Sequence, residues 1–358
     1  MVNDNSDIRG SQIVRSLNPK VFEYDFALKS YITPAEEFYV RNHFPQPQID
    51  RDAWRLSLDG CVNRRLELTY KDLLQMPART VVATLECAGN NRLFLVPPGK
   101  GVQWGLGGIS NGEWTGVPLP EVLEQAGLQP QAVDVIFEGA DSGEVELAPR
   151  PAAAVQYSRS LPIRKALDPD VLLCYRLNGK ELSNEHGYPL RLIVPGWYAM
   201  ASVKWLTRIT LDDRPYGGYF QTTDYAFWDS RHGRPVRVPI SQMLVKAEIA
   251  RPRMHETIPL DSDYQISGAA WAGDSNVAKV EISTDSGSTW AEAQLVGTPV
   301  RNSWRFFQYS WHTASKPGVY TILARATDES GKTQPVQHNP DHGSYMINHC
   351  LPIPVKLT

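Results

Sequence analysis

The last third of the chain alternates. Val280, Ile282 and Thr284 are separated by Lys279, Glu281 and Ser283, and farther on Tyr320, Ile322, Ala324 and Ala326 fall at every second position. A period of two lays these side chains on one face of a strand, apolar side inward, and does not suit a helix. Turn formers close each run: Asp285-Ser286-Gly287 before Trp290, and DESG at 328–331. The region is therefore read as antiparallel β structure, and an immunoglobulin-like β-sandwich is expected from about residue 240 to 358.

The preceding two thirds read differently. Residues 20–210 mix short strands, short helices and loops, without the regular strand–helix alternation of a doubly wound sheet, so an α+β domain is expected. Leu119, Val122, Leu123 and Ala126 share one helical face, and Gly127 can end that helix. A second short helix should follow Thr69 as N-cap, with Leu73 and Leu74 as its apolar face and Pro77 barring its continuation. Near residue 212 the text becomes DDRPYGGYFQTTDYAFWDSRHGRPV, rich in Gly, Pro and aromatics, and is read as a long irregular connection. The boundary is placed near 240, giving domains 1–239 and 240–358. A chain of 358 residues with 42% hydrophobic residues is long enough for two such cores.

A formal net charge of −3 without basic runs leaves no electrostatic footprint for nucleic acid, which points to a small-molecule partner. Cys61, Cys87, Cys174 and Cys350 form no CxxC pair, so cysteine chemistry must use single thiols rather than a zinc ribbon, a redox dithiol or covalent haem. No apolar stretch approaches the roughly 20 residues that span a bilayer, and no membrane insertion is expected. The first twenty residues lack a signal-peptide core, and Arg9 and Arg15 are too far apart for a twin-arginine signal. As written the chain is expected in the cytoplasm, or in the periplasm if a leader has been removed.

Three segments carry candidate chemistry. In VVATLECAGNNR, residues 81–92, an apolar run delivers Cys87 to a loop of Ala88, Gly89, Asn90 and Asn91. A lone cysteine is most often a small buried hydrophobe, so its neighbours must decide. In FYVRNHFPQP, Arg41 and His43 alternate with Val40 and Asn42 and, if extended, would share one face; the bland alternative is a solvated surface strand. In HGYPLRLIVPGWYAMASVKWL, an apolar strand is accompanied by His186, Arg191, Ser202 and Lys204, donors suited to a phosphate, although flanking charges of a core strand are commonly just exposed.

Together, in this order, these segments resemble the sulfite oxidase family of molybdenum enzymes. The resemblance continues through LSLDGCV at 56–62, GISNGEWTGVPL at 108–119, DVLLCYRLNGKEL at 170–182 and the VEISTDSGSTW hairpin, and so covers nearly the whole chain. It implies a sulfite oxidase-type molybdopterin-binding domain followed by a dimerisation domain, and hence a homodimer. It implies that Cys87 is the thiolate ligand of a molybdenum cofactor whose other sulfurs come from a pyranopterin. It further implies that Arg41, His43, Arg92, Trp104 and Tyr175 surround the substrate or cofactor, and that Asn42, His186, Arg191, Ser202, Lys204 and Trp205 belong to the stretches that grip the pterin and its phosphate. The implied reaction is oxidation of sulfite, or a similar small oxyanion, to sulfate.

Two departures stand out. The family often has arginine at both positions following the CAGN loop, whereas this chain has Asn91 and then Arg92. It also shows neither a cytochrome b5-like segment nor a CxxCH haem motif, so electrons are expected to pass to oxygen or to a separate protein such as a cytochrome c. A sulfane dehydrogenase and the molybdenum domain of a nitrate reductase share Cys87 and the pterin motifs. The non-enzyme alternative is a catalytically silent binding protein built on the sandwich.

Overall fold

A computed structural model describes residues 28, 30–146, 148–230 and 233–358. The N-terminal stretch read for targeting signals, with Arg9 and Arg15, lies outside the described residues. Two sheets build the first domain. One runs in the order Leu66–Thr69, Arg55–Gly60, Leu206–Asp212, Asp134–Gly143, Val155–Pro162, and its Arg55–Gly60 and Leu206–Asp212 strands are parallel. Parallel neighbours need a crossover, and the chain between these two contains the whole second sheet: Arg79–Glu86, Ile109–Pro118, Leu172–Leu177 and Lys180–Glu181, with Arg191–Ile193 also on Leu172–Leu177. The excursion and its return carry Cys87, His186, Arg191, Ser202, Lys204 and Trp205.

The helix Leu119–Ala126 buries Leu119, Val122, Leu123 and Ala126 and ends at Gly127, whose φ of +74° suits a residue without Cβ. The helix Tyr70–Gln75 starts from a capping box in which the Thr69 hydroxyl accepts the Asp72 N–H and the Asp72 carboxylate accepts the Thr69 N–H. Its buried face is Tyr70 and Leu73; Leu74, expected inward, is exposed, because one residue on from Leu73 the helix has turned by 100°.

The second domain is a sandwich of two sheets. One contains Lys246–Arg251, Asp263–Trp271, Arg305–His312 and Gln294–Leu295; the other contains Thr257–Ile258, Ile353–Leu357, Gly318–Asp328, Val277–Ser283 and Ala291–Glu292. Val280, Ile282, Ile322, Ala324 and Ala326 are buried between them, as the alternation predicts. Pairing is antiparallel except where Thr257–Ile258 runs parallel to Ile353–Leu357. The segment expected to be an irregular connection is ordered: a π-helical turn, Phe220–Asp224, leads into the antiparallel pair Ala226–Asp229 and Val236–Pro239. These strands are short and largely half-exposed, so they carry no clear period.

Part of the domain junction is apolar. Ala269, Trp271 and Trp304 of the sandwich belong to the same core cluster as Leu106, Ile109 and Val117 of the first domain. Among the described residues no helix is long and apolar enough to cross a membrane.

Candidate active site

Strand Arg79–Glu86 runs from exposed residues at its start to four buried ones at its end, and so carries Cys87 from the surface into the interior. There the ladder stops and a tight loop begins. The Cys87 N–H bonds the Gly108 carbonyl at 2.8 Å, and the Asn90 N–H returns to the Cys87 carbonyl at 2.9 Å. Gly89 allows a close approach: a Cβ there would collide with the Arg92 guanidinium. Arg92 is thereby laid along the loop, with Nε donating to the Ser344 carbonyl at 2.9 Å, Nη1 to the Val102 carbonyl at 2.8 Å, and its plane over the Tyr345 ring at 4.9 Å.

In front of Cys87 lies a cavity. Arg41, Asn42, His43, His186, Arg191, Ser202, Lys204 and Trp205 line it together with Cys87, so the three motifs, distant in sequence, meet in space. The segment bearing Arg41 and His43 is a loop rather than a strand, which lets Asn42 face the cavity as well. Arg41 Nη2 lies 3.4 Å from His43 Nδ1, and His43 Nε2 lies 2.7 Å from the Tyr225 hydroxyl. On the opposite wall Arg191 donates to the carbonyls of His186 and Ser202, the Ser202 hydroxyl accepts the Val194 N–H, and Lys204 bonds the Asn42 side chain and the Glu185 carbonyl.

The wall is cationic and short of negative charge. Burial, then Arg191 nearby, pushes the Lys204 ammonium well below its ordinary range, with Asp141 and Glu185 opposing. Burial lowers Arg191 to about 10 and His186 to about 4. His43 is driven down by burial and by Arg41 and Lys204, and is therefore neutral at pH 7. The Cys87 thiol is pushed up by burial, while the Arg92 charge, the Gly89 N–H and Arg41 pull it back. Asp141, raised to about 6 by burial, is the acid on the cavity wall.

Three residues that the resemblance placed around substrate or cofactor do not line the cavity. Arg92 sits behind the Cys87 loop, bound to backbone carbonyls. Trp104 packs edge-on behind Tyr39, ring centroids 5.7 Å apart. Tyr175 points the other way: in strand Leu172–Leu177 the preceding Cys174 packs in the cluster containing Tyr39 and Trp104, so a period of two turns Tyr175 away, against Tyr70. The tyrosine that does face the cavity with His43 is Tyr225, in the segment read as featureless. Tyr39, Asp141 and Tyr157 also line the wall without having been singled out. The second domain closes the back of the site, with Met346 N–H on the Ala88 carbonyl at 2.8 Å and Tyr345 against Arg92 and Tyr225.

Several buried polar atoms of this wall have no hydrogen-bond partner: the Tyr39 hydroxyl, Arg41 Nη1, Arg191 Nε and Asp141 Oδ1. Orphaned buried groups carry a large desolvation cost, and four around one cavity mark the outline of a polar ligand. Among the described residues no group of three His, Cys, Asp or Glu side chains can hold a metal ion, so a metal at Cys87 must bring its remaining ligands with it. A pterin-borne metal with a phosphate tail meets these requirements: thiolate for a soft metal, cations for the phosphate, and unpaired donors and an acceptor for the ring edges.

Fold and cavity thus suit a protein that holds a large anionic cofactor. The comparisons agree. The family model described as the oxidoreductase molybdopterin binding domain matches residues 43–220, and that of the Mo-co oxidoreductase dimerisation domain matches residues 237–351. The chain belongs to the molybdopterin-binding oxidoreductases of the sulfite oxidase type. It is 34% identical to the mitochondrial sulfite oxidase of Rattus norvegicus over 325 residues, covering 86% of this chain and 58% of that protein. It is 29% identical to the NADH nitrate reductase of Ulva prolifera over 344 residues, covering 87% of this chain and 39% of that one. The sulfane dehydrogenase SoxCD of Paracoccus pantotrophus superposes with a TM-score of 0.79 at 28% identity, covering 98% of this chain and 90% of that chain. The chain thus spans little more than half the length of the curated sulfite oxidase.

Proposed function

We propose that this protein oxidises sulfite to sulfate: sulfite and water give sulfate, two protons and two electrons, and the electrons pass to an external acceptor, oxygen or a cytochrome c. The observation that carries the reading is the set of unpartnered polar atoms and under-compensated cations on residues that line the cavity together with Cys87. The bound molybdenum cofactor supplies oxygen-atom transfer and accepts the electron pair. Cys87 is its thiolate ligand, and Lys204, Arg191, Ser202 and His186 hold its phosphate and pterin edges. Arg92 adds positive charge behind the thiolate.

Arg41, His43 and Tyr225 form the substrate wall. A guanidinium only donates, so the Arg41 contact makes His43 Nδ1 the acceptor and leaves the proton on Nε2. That proton goes to the Tyr225 oxygen, which frees the phenol hydrogen for an oxygen of the substrate. Burial pushes the Tyr225 hydroxyl up, so it stays a donor at neutral pH. Arg41 Nη1 and this hydroxyl would then hold two oxygens of a small oxyanion in the cavity beside Cys87. A pair of such molecules, joined through the second domain, makes the homodimer.

The likeness to a sulfane dehydrogenase over nearly the full chain favours a second reading, oxidation of a sulfane sulfur at the same cavity. Rates with sulfite, thiosulfate and nitrate, normalised to molybdenum, separate the readings. Fastest turnover of sulfite with ferricyanide or cytochrome c is expected; faster oxidation of thiosulfate, or nitrate reduction by a viologen, would replace the proposal. Purified protein without molybdenum, from cells able to make the cofactor, would favour a catalytically silent protein.

A further inference from the structure

Behind the Cys87 loop, on the side away from the cavity, three charged side chains are buried together: Glu86, Lys246 and Glu248. Glu86 immediately precedes Cys87, whereas Lys246 and Glu248 lie on the first sandwich strand, Lys246–Arg251, of the second domain. Lys246 Nζ lies 2.9 Å from Glu86 Oε1, 2.9 Å from Asn91 Oδ1 and 3.1 Å from Glu248 Oε1. An ammonium has three N–H donors, and here each has one acceptor. Asn90 completes the group, donating to Glu86 and Glu248 and accepting the Gly108 N–H at 3.0 Å; Trp271 of the sandwich donates to Glu86 Oε2 at 2.9 Å.

Burying ions is a poor way to gain stability, since desolvation offsets most of their attraction; such groups are better explained where they fix one arrangement among several. The arrangement fixed here is that of the loop. Glu86 and Asn91 bracket Cys87, and Asn91 is held at φ +71°, a conformation that side chains other than glycine rarely adopt. The position at which the resembled family often carries arginine is thus an asparagine that accepts a hydrogen bond from a lysine of the other domain.

We propose that Lys246 is a positioning residue of the active site, reaching from the second domain to fix the Cys87 loop by tying the residue before the cysteine to the residue four places after it. The inference rests on Cys87 being the metal ligand. It assigns the second domain a part in the redox centre beyond joining subunits.

The test uses the full-length, molybdenum-loaded protein and two variants. Asn91→Gly removes one tie, keeps the Glu86–Lys246–Glu248 group and suits a positive φ. Lys246→Met combined with Glu86→Gln removes the ammonium without leaving Glu86 charged. Amide hydrogen exchange should accelerate by about tenfold or more at residues 87–92, with strands Ile109–Pro118 and Leu172–Leu177 unchanged. The electron paramagnetic resonance spectrum of the one-electron-reduced metal should change its g-values, reporting altered sulfur geometry. Wild-type exchange at 87–92 with a superimposable spectrum would overturn the proposal, as would exchange that accelerates uniformly, the mark of a merely structural role. If the double variant does not fold, Asn91→Gly decides alone. Hydrogen exchange reads the loop whether or not sulfite is the substrate, so failure of the functional reading would leave its own, separate signature in the substrate rates.

Discussion

Replacing Tyr225 by phenylalanine removes one oxygen and leaves the ring, with its contacts to Tyr345 and His43, in place. The lost group is the hydroxyl that accepts from His43 Nε2 at 2.7 Å and turns its own hydrogen to the cavity. A hydrogen bond to a charged partner contributes roughly 1.5–3 kcal/mol, so kcat/KM for sulfite should fall by roughly 10- to 150-fold in Tyr225→Phe. Tyr175→Phe is the matched control. Its ring packs on Tyr70 outside the cavity, and the change should alter kcat/KM by less than about threefold. Steady-state kinetics with sulfite and ferricyanide at fixed ionic strength, normalised to molybdenum, reads both. A Tyr225→Phe enzyme within threefold of wild type, or a tenfold loss in Tyr175→Phe, would refute the assignment of the substrate tyrosine.

Cys87→Ser should abolish sulfite oxidation in a folded protein, whereas serine at Cys61 should leave activity near wild type, which rates and circular dichroism on the two variants would check. Arg92→Gln strips the Ser344 and Val102 carbonyls of a donor, so it should lower stability by about 1–3 kcal/mol and reduce kcat more than it raises KM; a rise in KM alone would return Arg92 to the substrate wall. Burial pushes Glu248 up to about 7, with Lys246 opposing and Glu86 adding to the rise. Because the folded value lies above the ordinary 4.5, the stability tied to that proton is complete below about pH 4.5 and is lost as pH rises through about 7. Thermal unfolding should therefore show the Tm of wild type falling between pH 5.5 and 8, and a flatter profile for Glu248→Gln.

The elements that were legible in sequence are those with a period or a cap: the 119–126 helix, the Thr69-capped turn and the alternating strands of the sandwich. The cavity was legible where chemistry-bearing residues cluster in short motifs, as Arg41, Asn42 and His43 do, or Ser202, Lys204 and Trp205. Asp141 and Tyr39 gave no such signal, because the meaning of each comes from which way it faces. Tyr175 and Tyr225 show the same limit. Tyr175 lies within a strand and Tyr225 just before one, and only the register of Leu172–Leu177 against its neighbours turns the first away while the π-helical turn aims the second inward. Lys246 was hidden for another reason: its partners in the first domain, Glu86 and Asn91, lie 160 and 155 residues earlier, and contacts of that range leave no local pattern.

The decisive measurement is the stoichiometry of ferricyanide reduction on addition of sulfite to protein of known molybdenum content. The proposed chemistry requires two ferricyanide reduced for each sulfate formed, at a rate proportional to molybdenum and absent from Cys87→Ser. Protein that contains molybdenum yet reduces no ferricyanide with sulfite would contradict it.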